Sequence, residues 1–312
     1  MENNIFGKTE KNVSRLGLGL AQVGFQLGNE EYTTAEKILN LALDNGINFL
    51  DTAEMYLESE SILGRAVSHR RDEYFLATKA GTGRTTSPDS EWTYEKMKSS
   101  VENSLKKLNT DIIDLIQLHS CETHILEKGD VIRALQDCKL EGKVRFIGYS
   151  GDNEAAKWAV NSNLFDTLQT SYGIADQRAR TKNILSEANK RNLGIIAKRP
   201  ISNASLLGVK HQLNQTNYEY FKASAYDEYF HRVLEMSKDL GINLNDIDPI
   251  ELSMAFSLSK KEINVLIIGS KNEAHVQENL NFMKKNMNNY ENLIKSYENV
   301  FEKLDQDWRQ LT

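Results

Sequence analysis

The chain is poor in cysteine, carries no excess of basic residues and contains no long apolar run, and each shortage narrows what it can be. Two cysteines in 312 residues, Cys121 and Cys138, cannot build the bridge framework of a small secreted domain, so a reducing compartment is expected. A formal net charge of −6 argues against a nucleic-acid partner, which demands a concentrated basic face. The opening stretch MENNIFGKTEKN has neither the charged lead nor the apolar centre of a secretory signal. With no apolar segment of spanning length, the expectation is no membrane partner and a cytoplasmic location. Nothing in the composition sets an oligomeric state.

Several motifs are also missing. The first strand-like run, Leu16-Gly17-Leu18-Gly19-Leu20-Ala21, lacks the G-x-G-x-x-G that opens a Rossmann sheet, and it ends without the H-x-H pair of metal-dependent hydrolase barrels. The glycine-rich Gly81-Thr82-Gly83-Arg84-Thr85-Thr86 lacks G-x-x-x-x-G-K-[ST], so it reads as the start of a substrate loop with Trp92 behind it, not as a phosphate loop. His119, Cys121 and His124 mix zinc-ligand types at a spacing that fits no usual site.

What is present is an alternation of short β-forming apolar runs with longer amphipathic stretches, the mark of repeated βα units on a parallel sheet. Eight strands are predicted around Leu16-Leu20, Asn48-Leu50, Tyr74-Thr78, Asp114-Leu118, Val144-Tyr149, Thr167-Gln169, Gly194-Ala197 and Val265-Ile268. Helices are predicted over 34–44, 94–108, 130–139, 154–160 and 181–191, with glycines 46, 142 and 194 closing three of them. Eight units without a Rossmann fingerprint favour an α/β fold of the (β/α)8 TIM barrel type, a single domain over 1–312. A long connection at about 200–248 carries Tyr218, Tyr220, Phe221, Tyr226, Tyr229 and Phe230, which suits either a satellite core or a flap. A terminal amphipathic helix is predicted at about 290–311.

In such a barrel the residues just after each strand converge on one mouth. Here they are Asp51, Lys79, His119, Ser150, Gln169, Lys198 and Gly269-Ser270-Lys271. Taken singly, each has a structural reading: Asp51 and Lys79 an ion pair, Tyr56 a helix-start aromatic, His119 a core histidine. Taken together, a carboxylate, a phenol, an ammonium and an imidazole at successive strand ends are hard to obtain from packing alone.

The segment Gly46-Ile47-Asn48-Phe49-Leu50-Asp51-Thr52-Ala53-Glu54-Met55-Tyr56, with Ser59-Glu60 and Leu63-Gly64 after it, closely resembles the signature of the aldo-keto reductases. Thr78-Lys79 and Leu118-His119 complete that family's catalytic tetrad: Asp51, Tyr56, Lys79 and His119. The resemblance implies an oxidoreductase that reduces a small carbonyl substrate with NADPH, NADH being the other candidate, and Tyr56 as general acid. An isolated phenol, with pKa about 10, donates poorly at neutral pH, so it needs an ammonium beside it that a carboxylate keeps charged. His119 would orient the carbonyl oxygen. The same resemblance admits a non-catalytic NADPH-binding regulatory partner.

It also implies a cofactor site. Ser150 and Gln169 match residues that hold the nicotinamide carboxamide, although Gly151 stands where an asparagine is usual. Lys198 stands where many relatives stack an aromatic, and would contact pyrophosphate or ribose instead, leaving the ring to Tyr172 or another aromatic. Gly269, Ser270 and Lys271 resemble the adenosine-phosphate site, favouring NADPH, with Glu278 and Asn279 at the adenine. Ser270 as a plain helix cap is the structural alternative. Glu54, Trp92 and the chain end are expected to shape the substrate pocket.

Overall fold

The computed structural model describes residues 1–27, 31–81, 88–202, 226–285, 287–305 and 308. A hairpin of β1 (Asn3–Ile5) and β2 (Asn12–Ser14) precedes eight parallel strands. These are β3 (Leu16–Gly19), β4 (Phe49–Asp51), β5 (Phe75–Ala80), β6 (Ile113–His119), β7 (Val144–Ser150), β8 (Thr167–Ser171), β9 (Gly194–Lys198) and β10 (Val265–Gly269). β10 pairs with β3 and closes the barrel.

The two-residue period of a strand decides what each residue faces. Phe49, Phe75, Ala77, Leu115, Ile196, Val265 and Ile267 point inward and form a separate interior cluster with Phe6 and Val13. Their neighbours Leu50, Leu76, Ile116, Leu118, Ile147, Leu168, Ile195 and Leu266 point outward into the larger core beneath the helices. Continuing the inward series along the strands gives Asp51, Lys79, His119, Ser150, Gln169 and Lys198, with Lys79 opposite Gln117, His119 opposite Ser150 and Ser171 opposite Lys198. One alternation therefore builds an apolar floor and a polar mouth from the same strands.

The hairpin is a floor that the strand pattern did not signal. It delivers Phe6, fully buried, edge-on to Phe49 at 5.5 Å and to Phe75 at 5.6 Å. Gly194, expected as a helix closer, is instead the first residue of β9. A Cβ there would lie 2.5 Å from the Phe6 ring, so its glycine is required by the plug. The helix before it ends at Lys190, with Arg191 as its cap, and the left-handed residue is Asn192, at φ 54.

Helices Tyr32–Asp44, Tyr94–Leu108, Asp130–Leu140 and Asn153–Ser162 lie where the apolar periodicity put them, and Gly46 and Gly142 follow two of them at positive φ. The helix expected over 181–191 is two pieces, Arg178–Thr181 and Ile184–Lys190, parted at Asn183 with φ 60. Between β9 and β10 run helices Tyr226–Asp239, which buries Tyr229, and Pro249–Leu258, capped by Asp248. Tyr218, Tyr220 and Phe221 lie outside the described residues. Helix Glu291–Leu304 buries Tyr297 and Phe301 and is tied down by Arg178 to Asp305 at 2.7 Å and Arg180 to Glu302 at 2.6 Å. Among the described residues no helix is long and apolar enough to cross a membrane.

Candidate active site

β4 and β5 bring Asp51 and Lys79 together at the mouth, where the Lys79 ammonium donates to Asp51 Oδ2 at 2.7 Å and to the Thr52 carbonyl at 2.8 Å. Both side chains are almost completely buried. Burial works against the Lys79 charge, but the Asp51 carboxylate and then the Tyr56 phenol outweigh it, and the pKa is raised. Lys79 is therefore a cation throughout the physiological range. A buried ion pair of this kind costs desolvation and adds little net stability, so its presence at a cavity points to chemistry.

Tyr56 rides on the loop after β4. Thr52 Oγ1 and Ser59 Oγ bond at 2.7 Å, and Ser59 also donates to the Leu20 carbonyl, which fixes both ends of that loop. The Tyr56 ring lies 5.1 Å from the Lys79 ammonium and edge-on to the His119 imidazole at 5.7 Å. Burial, followed by the charges of Lys79, Lys198 and Arg199, pushes the His119 pKa well below 6.5, so the imidazole is neutral. All four residues of the expected tetrad thus meet at one rim.

Some buried polar atoms at this rim lack partners among the described residues. They are Asp51 Oδ1, His119 Nδ1, Gln117 Oε1 and Ser150 Oγ, and an unpaired buried polar group is costly unless a ligand completes it. Gln117 Nε2 donates to Gln169 Oε1 at 3.2 Å, and the Ser150 carbonyl accepts from Ser120. An amide-bearing ring with its own donor and acceptor suits the free serine hydroxyl beside the glutamine, so the residues present fit a nicotinamide.

At Gly151 the asparagine that the resemblance implies would crowd Tyr149. A Cβ there would fall 2.4 Å from the Tyr149 hydroxyl, which is held by the Cys121 carbonyl at 2.8 Å. Cys121 is itself buried, its thiol pushed up to about 12 by burial, and His124 is half exposed beside Glu122. Tyr172 does not serve as the ring-stacking residue. It is fully buried against Phe256 at 5.7 Å and has no face open to the mouth.

Farther along the rim, Gly269 lies beside Gly19 at the end of β10. Ser270 Oγ is engaged in a turn with the Asn272 backbone, at 3.0 Å both ways, and the helix Glu273–Phe282 is capped by Asn272 and not by Ser270. Lys271 and Glu278 are exposed, while Ser270 and Asn279 line one small cavity against Leu16 and Ile268. Trp92 is buried on Gly81, walling the end of β5. Glu54 accepts a hydrogen bond from Ser100, and Thr82 to Thr86 lie outside the described residues.

Three features of the mouth escaped the sequence reading. Asp152 takes Lys198 at 3.1 Å and Arg199 at 3.9 Å, and also accepts from Thr170 Oγ1, Ser171 N and Ser171 Oγ at 2.9, 2.6 and 3.1 Å. Burial would raise its pKa, yet Lys198, Arg199 and the Ser171 amide hold it below the usual carboxylate value. Arg199 sits at φ 56, in the left-handed region. Phe25, 41% exposed in a π-helical turn after β3, meets the Tyr56 ring at 5.5 Å. Only the lysine at a strand end was a signal. The bonds to Asp152 join the ends of three strands and have no mark in the linear order.

A sequence model described as the Aldo/keto reductase family matches residues 15–294. The chain belongs to that family. Among its aldo/keto reductase relatives, it is 29% identical over 291 residues to an oxidoreductase of Bacillus subtilis, covering 90% of each chain. It is 26% identical over 294 residues to L-galactose dehydrogenase of Arabidopsis thaliana, covering 90% of this chain and 87% of that one. The holo form of an aldo-keto reductase from Bacillus halodurans shares the fold at 24% identity, with a TM-score of 0.76 over 96% of both chains. As a family member, this protein is an NAD(P)H-dependent oxidoreductase of the carbonyl-reducing type.

Proposed function

We propose that the enzyme reduces an aldehyde or ketone to the alcohol with NADPH as donor and Tyr56 as the proton source. The observation that carries this reading is the buried Lys79–Asp51 pair at 2.7 Å lying against the Tyr56 ring, with His119 at the edge of the same ring. When bound, the dihydronicotinamide supplies the hydride.

The rest of the step falls to side chains. As hydride reaches the carbonyl carbon, charge builds on its oxygen and Tyr56 gives up its hydroxyl proton to that oxygen. The phenolate left behind is stabilised by the Lys79 ammonium, which Asp51 and the Thr52 carbonyl keep in place. A neutral His119 can donate one hydrogen bond to the same oxygen without competing as a proton source. Ser150 and Gln169 are suited to the carboxamide, and Lys198, with one of its three donors committed to Asp152, keeps others for a ribose or pyrophosphate oxygen. Gly269, Ser270 and Lys271 would hold the 2′-phosphate side, with Glu278 and Asn279 at the adenine, which is the basis for preferring NADPH.

The test is oxidation of NADPH, and of NADH in parallel, against a panel of neutral aldehydes and ketones. Turnover faster with NADPH is expected. Binding of NADPH without turnover of any carbonyl would overturn the proposed reaction.

A further inference from the structure

Resting on that reading, we propose that Arg199 is a specificity residue that takes a substrate carboxylate, so the enzyme favours oxo acids over neutral carbonyls of the same size. Among the described residues at the mouth, Lys79 pairs with Asp51 and Lys198 with Asp152, and Arg199 is a further cation beside them. Asp51 is committed to Lys79. Asp152 receives Thr170, two donors of Ser171 and Lys198, which fills the roughly four acceptor positions of a carboxylate.

Arg199 is left at 3.9 Å from Asp152, with a hydrogen bond to Ser171 Oγ at 3.3 Å and the Tyr229 phenol beside it. A guanidinium presents about five donors in a planar fork that matches a carboxylate. Among the described residues the partners of Arg199 are Ser171, Tyr229 and the distant Asp152, which leaves donors over for a ligand, and its side chain is 32% exposed. Its left-handed backbone at φ 56 is disfavoured for an arginine, and such strain persists where the direction of a side chain matters. Burial works against the guanidinium charge, but Tyr229, Asp152 and then Tyr56 favour it and its pKa is raised, while the same charge helps to keep His119 neutral. Phe25, 41% exposed and meeting the Tyr56 ring at 5.5 Å, adds apolar surface beside the proton source. A carbonyl held at Tyr56 and an anion held at Arg199 would define the two ends of such a molecule.

The experiment compares kcat/KM for 4-formylbenzoate and for 4-oxobutanoate, each against its own methyl ester, in the wild type, Arg199→Gln and Arg199→Lys. The wild type is expected to favour at least one acid over its ester by about tenfold or more, the size of one charge-assisted hydrogen bond. That ratio should fall to near parity in Arg199→Gln and survive in part in Arg199→Lys. Reduction of the esters reports in the same assay that each variant is folded. Parity in the wild type, or an acid preference untouched in Arg199→Gln, overturns the inference and leaves the proposed reaction standing. So does an equal loss on acid and ester accompanied by a weaker NADPH Kd, which would assign Arg199 to the cofactor phosphates. Absence of NADPH oxidation with all four compounds and with the neutral panel overturns the proposed reaction and the inference together.

Discussion

The two ends of this barrel are built from the same strands and obey opposite rules. At the floor, Phe6, Phe49 and Phe75 interlock, with Phe146 partly buried on them, and the cluster is made of rings and aliphatic side chains. At the mouth, two to four residues farther along, the inward positions are Asp51, Lys79, His119 and Ser150, and several of their buried atoms have no partner among the described residues. Apolar burial supplies stability roughly in proportion to area, whereas buried charge adds little and is kept for what it does. The floor is where the barrel holds together, and the mouth is where it acts.

Substitutions at each end should separate these roles. The largest effect is expected from Tyr56→Phe, which should lower turnover by about two to four orders of magnitude while the NADPH Kd, read by fluorescence quenching, and the melting temperature stay near wild type. Retained turnover would remove Tyr56 from the role of acid. Phe6→Ala should do the reverse, costing about 3–5 kcal/mol in urea unfolding with kcat/KM little changed at low temperature. Loss of activity without loss of stability there would mean that the two ends are coupled.

A smaller effect is expected from Gly151→Asn, which restores the residue that the resemblance implies but drives its Cβ into Tyr149. Overpacking of this kind should lower stability by about 1–3 kcal/mol, and a neutral or stabilising result would show that Tyr149 can move aside.

The smallest effect concerns pH. Because the folded-state pKa of His119 lies below its ordinary 6.5, the unfolded chain binds the extra proton first as pH falls. Its contribution to stability is therefore complete above about 6.5 and declines below it, by up to about 1.4 kcal/mol per pH unit. Urea titrations at pH 7.5 and 5.5 should show that decline in the wild type and a shallower one in His119→Gln. Equal slopes would place the pH dependence elsewhere.

How far this molecule could be read from its residue order depended on the range of the interaction. The eight barrel strands are short apolar runs closed by polar residues, a local pattern, and Asp51, Lys79, His119 and Ser150 stand out because each ends such a run. Tyr56 was legible through the Asp51-to-Tyr56 segment. The hairpin was not, since strands as short and polar as Asn3–Ile5 and Asn12–Ser14 carry no periodic signal and take their meaning from the hole that they fill. Tyr172 looked available as an aromatic next to a strand end, but its burial on Phe256 depends on a helix more than eighty residues away. The structural alternative for Ser270, a helix cap, fell to Asn272, because the Ser270 hydroxyl is taken up in a turn.

Local order alone thus determined the barrel and the chemical types at its rim, because the alternation of a strand and the amphipathy of a helix are written within a few residues. Only the tertiary structure decided which charges meet: that Asp152 binds Lys198 and the end of β8, that Arg199 is left with donors to spare, and that Tyr149 excludes a side chain at Gly151. Those outcomes follow from Coulomb attraction and steric exclusion over a few ångströms between chain ends that the sequence holds far apart.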